Sequence, residues 1–177
     1  QLGRTEEAIQ TYRAVLRRDP HFARANHNLA GIYWRQKRWD EAKGEFQAAL
    51  RSDPDDAESR FGMGSACQKL HMLDEAIQQY QAAISIRPDM AKAHHNLALA
   101  YESQGKLAAA IKQAQRALAL DYAPSRALVE RLQGKQPAEP QPQAVTIPIV
   151  PTLEAAAPRA QAAVPPPALA PAPNPVG

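Results

Sequence analysis

Pro20, Pro54 and Pro88 stand 34 residues apart, and this interval constrains the fold more than any other feature of the chain. A proline cannot continue a helix, and it biases the residue before it away from the α region. Three such breaks at one spacing cut the sequence into equal segments. His-Asn-Leu-Ala occurs at 27–30 and again at 95–98, two intervals on, with Phe-Gly-Met-Gly at the midpoint, 61–64. Ala30, Gly64 and Ala98 share a register, as do Ala42, Ala76 and Ala110 and Ala49, Ala83 and Ala117. A period of this length marks one supersecondary unit, stacked because a single copy cannot bury its apolar face.

Each unit reads as two helices. Over 22–36, Leu29, Ala30 and Tyr33 recur at helical spacing, and over 39–52 Ala42, Phe46, Ala49 and Leu50 do the same. Asp40-Glu41 and Asp74-Glu75 fall in the first turn of the second helices, where negative charge meets unpaired N–H groups. Small residues let the two helices cross closely. The expected crossing pairs are Ala30 with Ala42, Gly64 with Ala76 and Ala98 with Ala110, with Phe46 and Tyr80 filling the wedge between neighbouring units.

This pattern resembles the tetratricopeptide repeat (TPR), a 34-residue helix–turn–helix with small, aromatic and proline positions at fixed offsets. The resemblance implies an all-α, right-handed solenoid. Its units are the second half of a repeat at 1–22, full repeats at 23–56, 57–90 and 91–123, and a capping helix at 124–134 with Ala127, Leu128 and Leu132 on one face. Gly3 and Gly105 occupy the family's inter-helix turn. Lys37 and His71 stand at that place in the other units and are expected to adopt positive φ at a cost. Ala114 replaces the aromatic of the last unit and Tyr122 its proline.

Composition separates the remainder. Twelve of the 16 prolines lie at or beyond Pro137. From 135 to 177 the chain is Pro/Ala-rich and is expected to be a disordered tail, with 145–150 (VTIPIV) as its apolar patch. No apolar run approaches the ~18 residues of a membrane span. The first residue is Gln rather than Met, so the sequence reads as a fragment. The compartment stays open, with a cytoplasmic one preferred. The formal charge of +3 is too small, and too mixed along the helices, to indicate nucleic acid.

Nothing in the pattern implies a cofactor, a metal or an enzyme. His27 and His95 stand two units apart, too far to share one ion. His94 and His95 are adjacent and point to different helix faces. The lone cysteine, Cys67, replaces a core tyrosine and reads as a small buried hydrophobe. There is no Gly-rich phosphate loop.

Binding is the stronger reading. In TPR proteins the first helices of successive repeats line a concave groove. Position by position, the resemblance implies groove residues Arg24, His27, Asn28, Trp34 and Arg35 in the first full unit. It adds Phe61, Ser65, Gln68 and Lys69 in the second, and Lys92, His95, Asn96, Leu99 and Glu102 in the third. Trp34 and Phe61 are large aromatics not required by the repeat and are expected to anchor a partner. Asn28 and Asn96 resemble the asparagines with which the TPR superhelix of O-linked N-acetylglucosamine transferases holds a peptide backbone, with Gly62 interrupting the ladder. An amide carries both donor and acceptor for such a contact. The carboxylate clamp of co-chaperones is a poor match, since only Lys92 fits its register.

The expected function is a scaffold that binds a partner protein segment in the groove. The alternative is the substrate-selecting part of a larger enzyme such as a glycosyltransferase. Self-assembly through Ala8, Ile9 and Tyr12, the apolar face of the half-repeat, is a third expectation.

Overall fold

A computed structural model describes residues 2–135. The expectations for the tail beyond Lys135, including 145–150, lie outside the described residues. The described residues form helices only: α1 (Leu2–Arg18), α2 (Ala23–Arg35), α3 (Trp39–Ser52), α4 (Ala57–Lys69), α5 (Leu73–Ile86), α6 (Ala91–Ser103), α7 (Leu107–Ala119) and α8 (Pro124–Gln133). α2 pairs with α3, α4 with α5 and α6 with α7 as hairpins. Each hairpin's second helix packs on the first helix of the next. α2, α4, α6 and α8 also touch in sequence, so the first helices line one side of a right-handed solenoid. Gly3 lies inside the first turn of α1, not in a turn before it.

The crossings are made by small side chains. Ala30, Ala42, Ala76, Ala98 and Ala110 are fully buried. A Cβ added to Gly64 would come within 2.9 Å of the Tyr80 ring and 3.2 Å of the Ala76 carbonyl oxygen. Dispersion between closely approaching backbones substitutes here for large apolar side chains.

The turns inside the hairpins share one plan. Lys37 (φ 60°), His71 (φ 61°) and Gly105 (φ 73°) are left-handed. The next residue then returns its N–H to the carbonyl five positions earlier: Arg38 to Tyr33 (3.0 Å), Met72 to Cys67 (2.9 Å) and Lys106 to Tyr101 (2.9 Å). This is the Schellman closure, which satisfies carbonyls that the helix end leaves unpaired. Asp121 (φ 59°) makes the same closure after α7, with Tyr122 N–H on Ala117.

The proline corners are stapled as well. The fourth residue of each first helix reaches back to the carbonyl of the proline six positions earlier. Asn26 reaches Pro20 (3.4 Å), Arg60 reaches Pro54 (2.9 Å) and His94 reaches Pro88 (3.0 Å). His94 Nδ1 also lies 2.8 Å from the side-chain amide of Gln113. Three unrelated residue types thus do one job, satisfying a proline carbonyl that lies in the corner between two helices, outside either helical ladder.

Both ends of the stack are covered. Ile9 is 1% exposed, and with half-buried Ala8 and Tyr12 it packs against the cluster of Leu29, Ala30 and Phe46. In the half-repeat α2 thus buries Ile9, while Ala8 and Tyr12 stay half-buried and line a surface crevice. At the other end Leu128, Val129 and Leu132 of α8 cover Ala110, Ile111 and Ala114. Val129, not exposed Ala127, belongs to the capping stripe. With Ala114 in place of an aromatic, these branched side chains fill the gap.

Candidate peptide-binding groove

The concave side is built from the inner faces of α2, α4 and α6, and it forms a chain of depressions. The central one, about 360 Å³, is lined by His27, Gly31, Trp34, Phe46, Glu58, Phe61, Gly62, Ser65, Lys92 and Asn96. A second, of about 480 Å³, shares Trp34, Ser65 and Asn96 with it and adds Gln68, Lys69, His71 and Leu99. Towards α1 lies a crevice of about 310 Å³ with Asn28, Gly31 and Arg35. A further depression holds Arg24, His27, Asn28, Asp53 and Asp56. His95 and Leu99 line a smaller one against α8.

Trp34, Phe61, Lys92 and Asn96 therefore share one cavity, and Lys69 joins Trp34 and Asn96 in the next. Asn28 does not share a cavity with Asn96; it faces the α1 crevice with Arg35. Trp34, which helix geometry places towards an edge when Asn28 is centred, instead lines both the central depression and the second one beside it. It is half-buried and paired with Trp39, ring centroids 4.6 Å apart.

Several of these residues hold the fold as well as lining the groove. Positions 27, 61 and 95 are equivalent, and each side chain joins its own repeat to the next helical unit. His27 Nδ1 lies 2.7 Å from the hydroxyl of Ser59 on α4, and the His27 ring meets Phe46 edge-on at 5.7 Å. Ser59 in turn donates to Asp56 (2.5 Å), whose other oxygen caps α4 through the N–H of Glu58. With the Ser59 hydroxyl donating to Asp56, Ser59 Oγ accepts from His27, which places a hydrogen on His27 Nδ1. Phe61 packs on Ala57, Ala83, Met90 and Ala93 and sits 5.8 Å from the Tyr80 ring. His95 Nδ1 lies 2.8 Å from Ser125 of α8, with its ring on Tyr122 at 5.2 Å. Burial and then Arg131 hold the His95 pKa below the ordinary histidine value. The repeats signal this join in sequence, since histidine at 27 faces serine at 59 while phenylalanine at 61 faces alanine at 93.

Lys92 is engaged too. Its ammonium pairs with Glu58 at 2.6 Å and lies 4.8 Å over the Phe61 ring, and Arg87 holds the other Glu58 oxygen at 2.6 Å. Burial pushes the Glu58 pKa up, but hydrogen bonds from Lys92 and Arg87 outweigh it and hold the carboxyl below its usual value. Glu102 is gripped by Arg131 and Lys135, each at 2.6 Å.

Gly62, which stands between Asn28 and Asn96 in the repeat register, is covered by an aromatic ring. A Cβ on Gly62 would meet the Phe46 ring at 2.3–2.7 Å, so the ring occupies the place of any side chain at 62. Asn96, at the equivalent position of the next unit, donates a long 3.4 Å bond to the Tyr80 hydroxyl. Tyr80 also donates to Gln68 (2.8 Å), and burial pushes its pKa up to about 12. Asn28 makes no hydrogen bond to any described residue. Cys67 is fully buried in the α4–α6 core, and burial pushes its thiol up to about 11, far from the range of a reactive thiolate. Among the described residues no group of three metal-binding side chains gathers, and no helix is long and apolar enough to cross a membrane.

Three family models match the chain, each described as a tetratricopeptide or TPR repeat, over residues 1–60, 72–105 and 91–124. No curated protein matches it. Among solved structures it is similar to MamA (TM-score 0.72, 24% identity, 75% of this chain and 80% of that one). It is also similar to the type III secretion translocator chaperone SycD of Yersinia enterocolitica (0.60, 20%, 62% and 82%). A third is the first TPR of Spaghetti (RPAP3), bound to the HSP90 peptide SRMEEVD (0.62, 20%, 63% and 90%). The matched repeats and the stacked hairpins agree: the chain belongs to the tetratricopeptide repeat family.

Proposed function

We propose that the chain is a non-catalytic interaction scaffold that holds an extended segment of a partner protein along its concave face. The proposed repeat units are 23–56, 57–90 and 91–123, flanked by the half unit 1–22 and the cap 124–134. Trp34, Phe61 and Leu99 supply apolar contact, while Asn28 and Asn96 hydrogen-bond the bound backbone. Arg24, Arg35 and Lys69 add charge; His27, Lys92 and His95 shape the wall. The observation that carries this reading is the polar capacity left over beside exposed aromatic surface. Asn28 has no partner among the described residues and lines the α1 crevice, which shares His27 and Gly31 with the central depression. Asn96 has only one long bond and lines both depressions that Trp34 lines. A ligand that supplies those hydrogen bonds gains about 0.5–1.5 kcal/mol from each. The chaperone and the peptide-bound TPR among the similar structures support an interaction role. The interrupted ladder makes the two amides separate contacts.

The test is affinity capture with the full chain, scored by which variants lose the captured protein. Trp34→Ala and Asn96→Ala are expected to lose it while Lys112→Ala, on the exposed side of α7, keeps it. Retention by all three, or loss by all three, contradicts binding in the groove.

A further inference from the structure

We infer that the groove selects an acidic peptide, a segment bearing carboxylates beside its apolar anchor, and that Arg35 and Lys69 recognise the charge. The inference rests on the groove being the binding face. Over the whole chain the formal charge is only +3, but along the concave side the balance is one-sided. Arg24, Arg35 and Lys69 are exposed and form no ion pair among the described residues. The carboxylates on that side are outnumbered. Glu58 is held by both Arg87 and Lys92, and Glu102 by both Arg131 and Lys135, so each cluster keeps one positive charge in excess. Asp56 is turned to Ser59 and the start of α4. Asp53 lies in the depression by Arg24, away from Arg35 and Lys69.

Arg35 and Lys69 hold equivalent positions near the ends of neighbouring first helices. Such helices lie about 8–10 Å apart, about one Debye length at physiological salt, so their fields reinforce. Each cation also lines a depression: Arg35 the crevice with Asn28, and Lys69 the one with Trp34, Asn96 and Leu99. A side chain seated against Trp34 would thus have a cation on either side along the groove. The helix dipole favours basic residues at helix ends, but it does not explain why these two lack carboxylate partners while Lys92 and Arg131 have them. Complementary charge would steer the segment in and fix its register.

A random peptide display library selected against the full chain supplies the probe. Selected peptides are expected to be enriched in Asp and Glu over Lys and Arg. Binding of a fluorescein-labelled selected peptide, read by anisotropy, should weaken as salt rises. The double variant Arg35→Glu/Lys69→Glu should weaken it by roughly tenfold or more. Because both residues close a helix, reversal also lowers the thermal midpoint by a few degrees, and the neutral pair Arg35→Gln/Lys69→Gln should weaken binding less with a smaller shift in midpoint. A peptide with its carboxylates replaced by lysines should regain affinity on the charge-reversed variant, which a merely structural role would not produce. The only two tryptophans, Trp34 and Trp39, are ring neighbours, so intrinsic emission reports occupation of the groove. If emission changes on binding but acidic residues are not enriched, or charge reversal is silent, the charge inference is overturned and the groove reading stands. If emission is unchanged with every selected peptide, the groove reading itself fails. Tighter binding of a single-stranded oligonucleotide than of the acidic peptide would overturn the choice of partner class.

Discussion

The α2–α4 and α4–α6 interfaces are copies of one junction, built differently. At the first, Phe46 leans across onto Gly62 of the following unit, and His27 reaches Ser59. At the second, Tyr80 lies over Gly64 within its own hairpin, Phe61 packs towards Ala93, and the position equivalent to 62 carries Asn96. Each glycine lies where its aromatic leans. Ala30, the counterpart of Gly64, carries a Cβ at the place equivalent to the one Tyr80's ring covers in the next unit. The first interface, where the ring leans onto the next unit, carries a glycine in the groove, and the second, where it does not, carries an amide.

The largest expected effect tests the link between ring and glycine. Phe46→Ala removes a buried aromatic from the first interface and should cost about 3–5 kcal/mol in urea unfolding. Gly62→Ala alone should cost about 1–2 kcal/mol net, as overpacking against the ring exceeds the roughly 1 kcal/mol that alanine gains over glycine in a helix. In the Phe46→Ala background the same substitution should become stabilising. Additive costs would remove the ring from the explanation. Gly64→Ala, with its milder 2.9 Å approach, should cost less than Gly62→Ala.

A smaller effect comes from exchanging the polar pair. Ser59→Ala deprives His27 of its nearer partner, leaving Asp56 at 3.4 Å, and should cost about 1 kcal/mol. Adding His27→Phe copies the second interface into the first and should restore midpoint stability to within about 0.5 kcal/mol. If the double variant is worse than Ser59→Ala, the two junctions are not interchangeable.

The period, the helices, the alanine crossings and the left-handed Lys37 and His71 were all legible in the sequence, because each depends on short-range chemistry repeated in register. Gly3 and Ala127 misled, since end units lack the neighbours that fix the register inside. Legibility was poorest for which groove residues are already engaged. Lys92 reads as a free cation until Glu58, one full repeat away, is seen at 2.6 Å. His27, Phe61 and His95 read as groove residues alone until their partners on the next unit show a packing role beside it. Those pairings join distant positions, and a side-chain direction must be known before they can be assigned. Aligning position 27 against 59, and 61 against 93, would have exposed part of this.

The smallest effect concerns the cap. His95 is held below its ordinary pKa by burial and by Arg131, so the unfolded chain binds more protons than the folded one as pH falls through the histidine range. Its contribution is present above the ordinary value of about 6.5 and is lost as pH drops towards the depressed folded value. Hydrogen exchange across 124–133 should therefore quicken, after correction for intrinsic rates, between about pH 7.5 and about pH 5.5. The change should be smaller in His95→Asn.

On the proposed reading, the concave face divides into residues that hold the repeats together and residues left for a partner. Asn28 and His27 are neighbours on α2 and fall on opposite sides of that division. The decisive experiment is a paired one on the full chain, thermal midpoint together with affinity for a selected peptide. Asn28→Ala should leave the midpoint unchanged and weaken binding by about 0.5–1.5 kcal/mol. His27→Ala should lower the midpoint. If Asn28→Ala is silent in binding, or if His27→Ala weakens binding with an unmoved midpoint, the division is wrong.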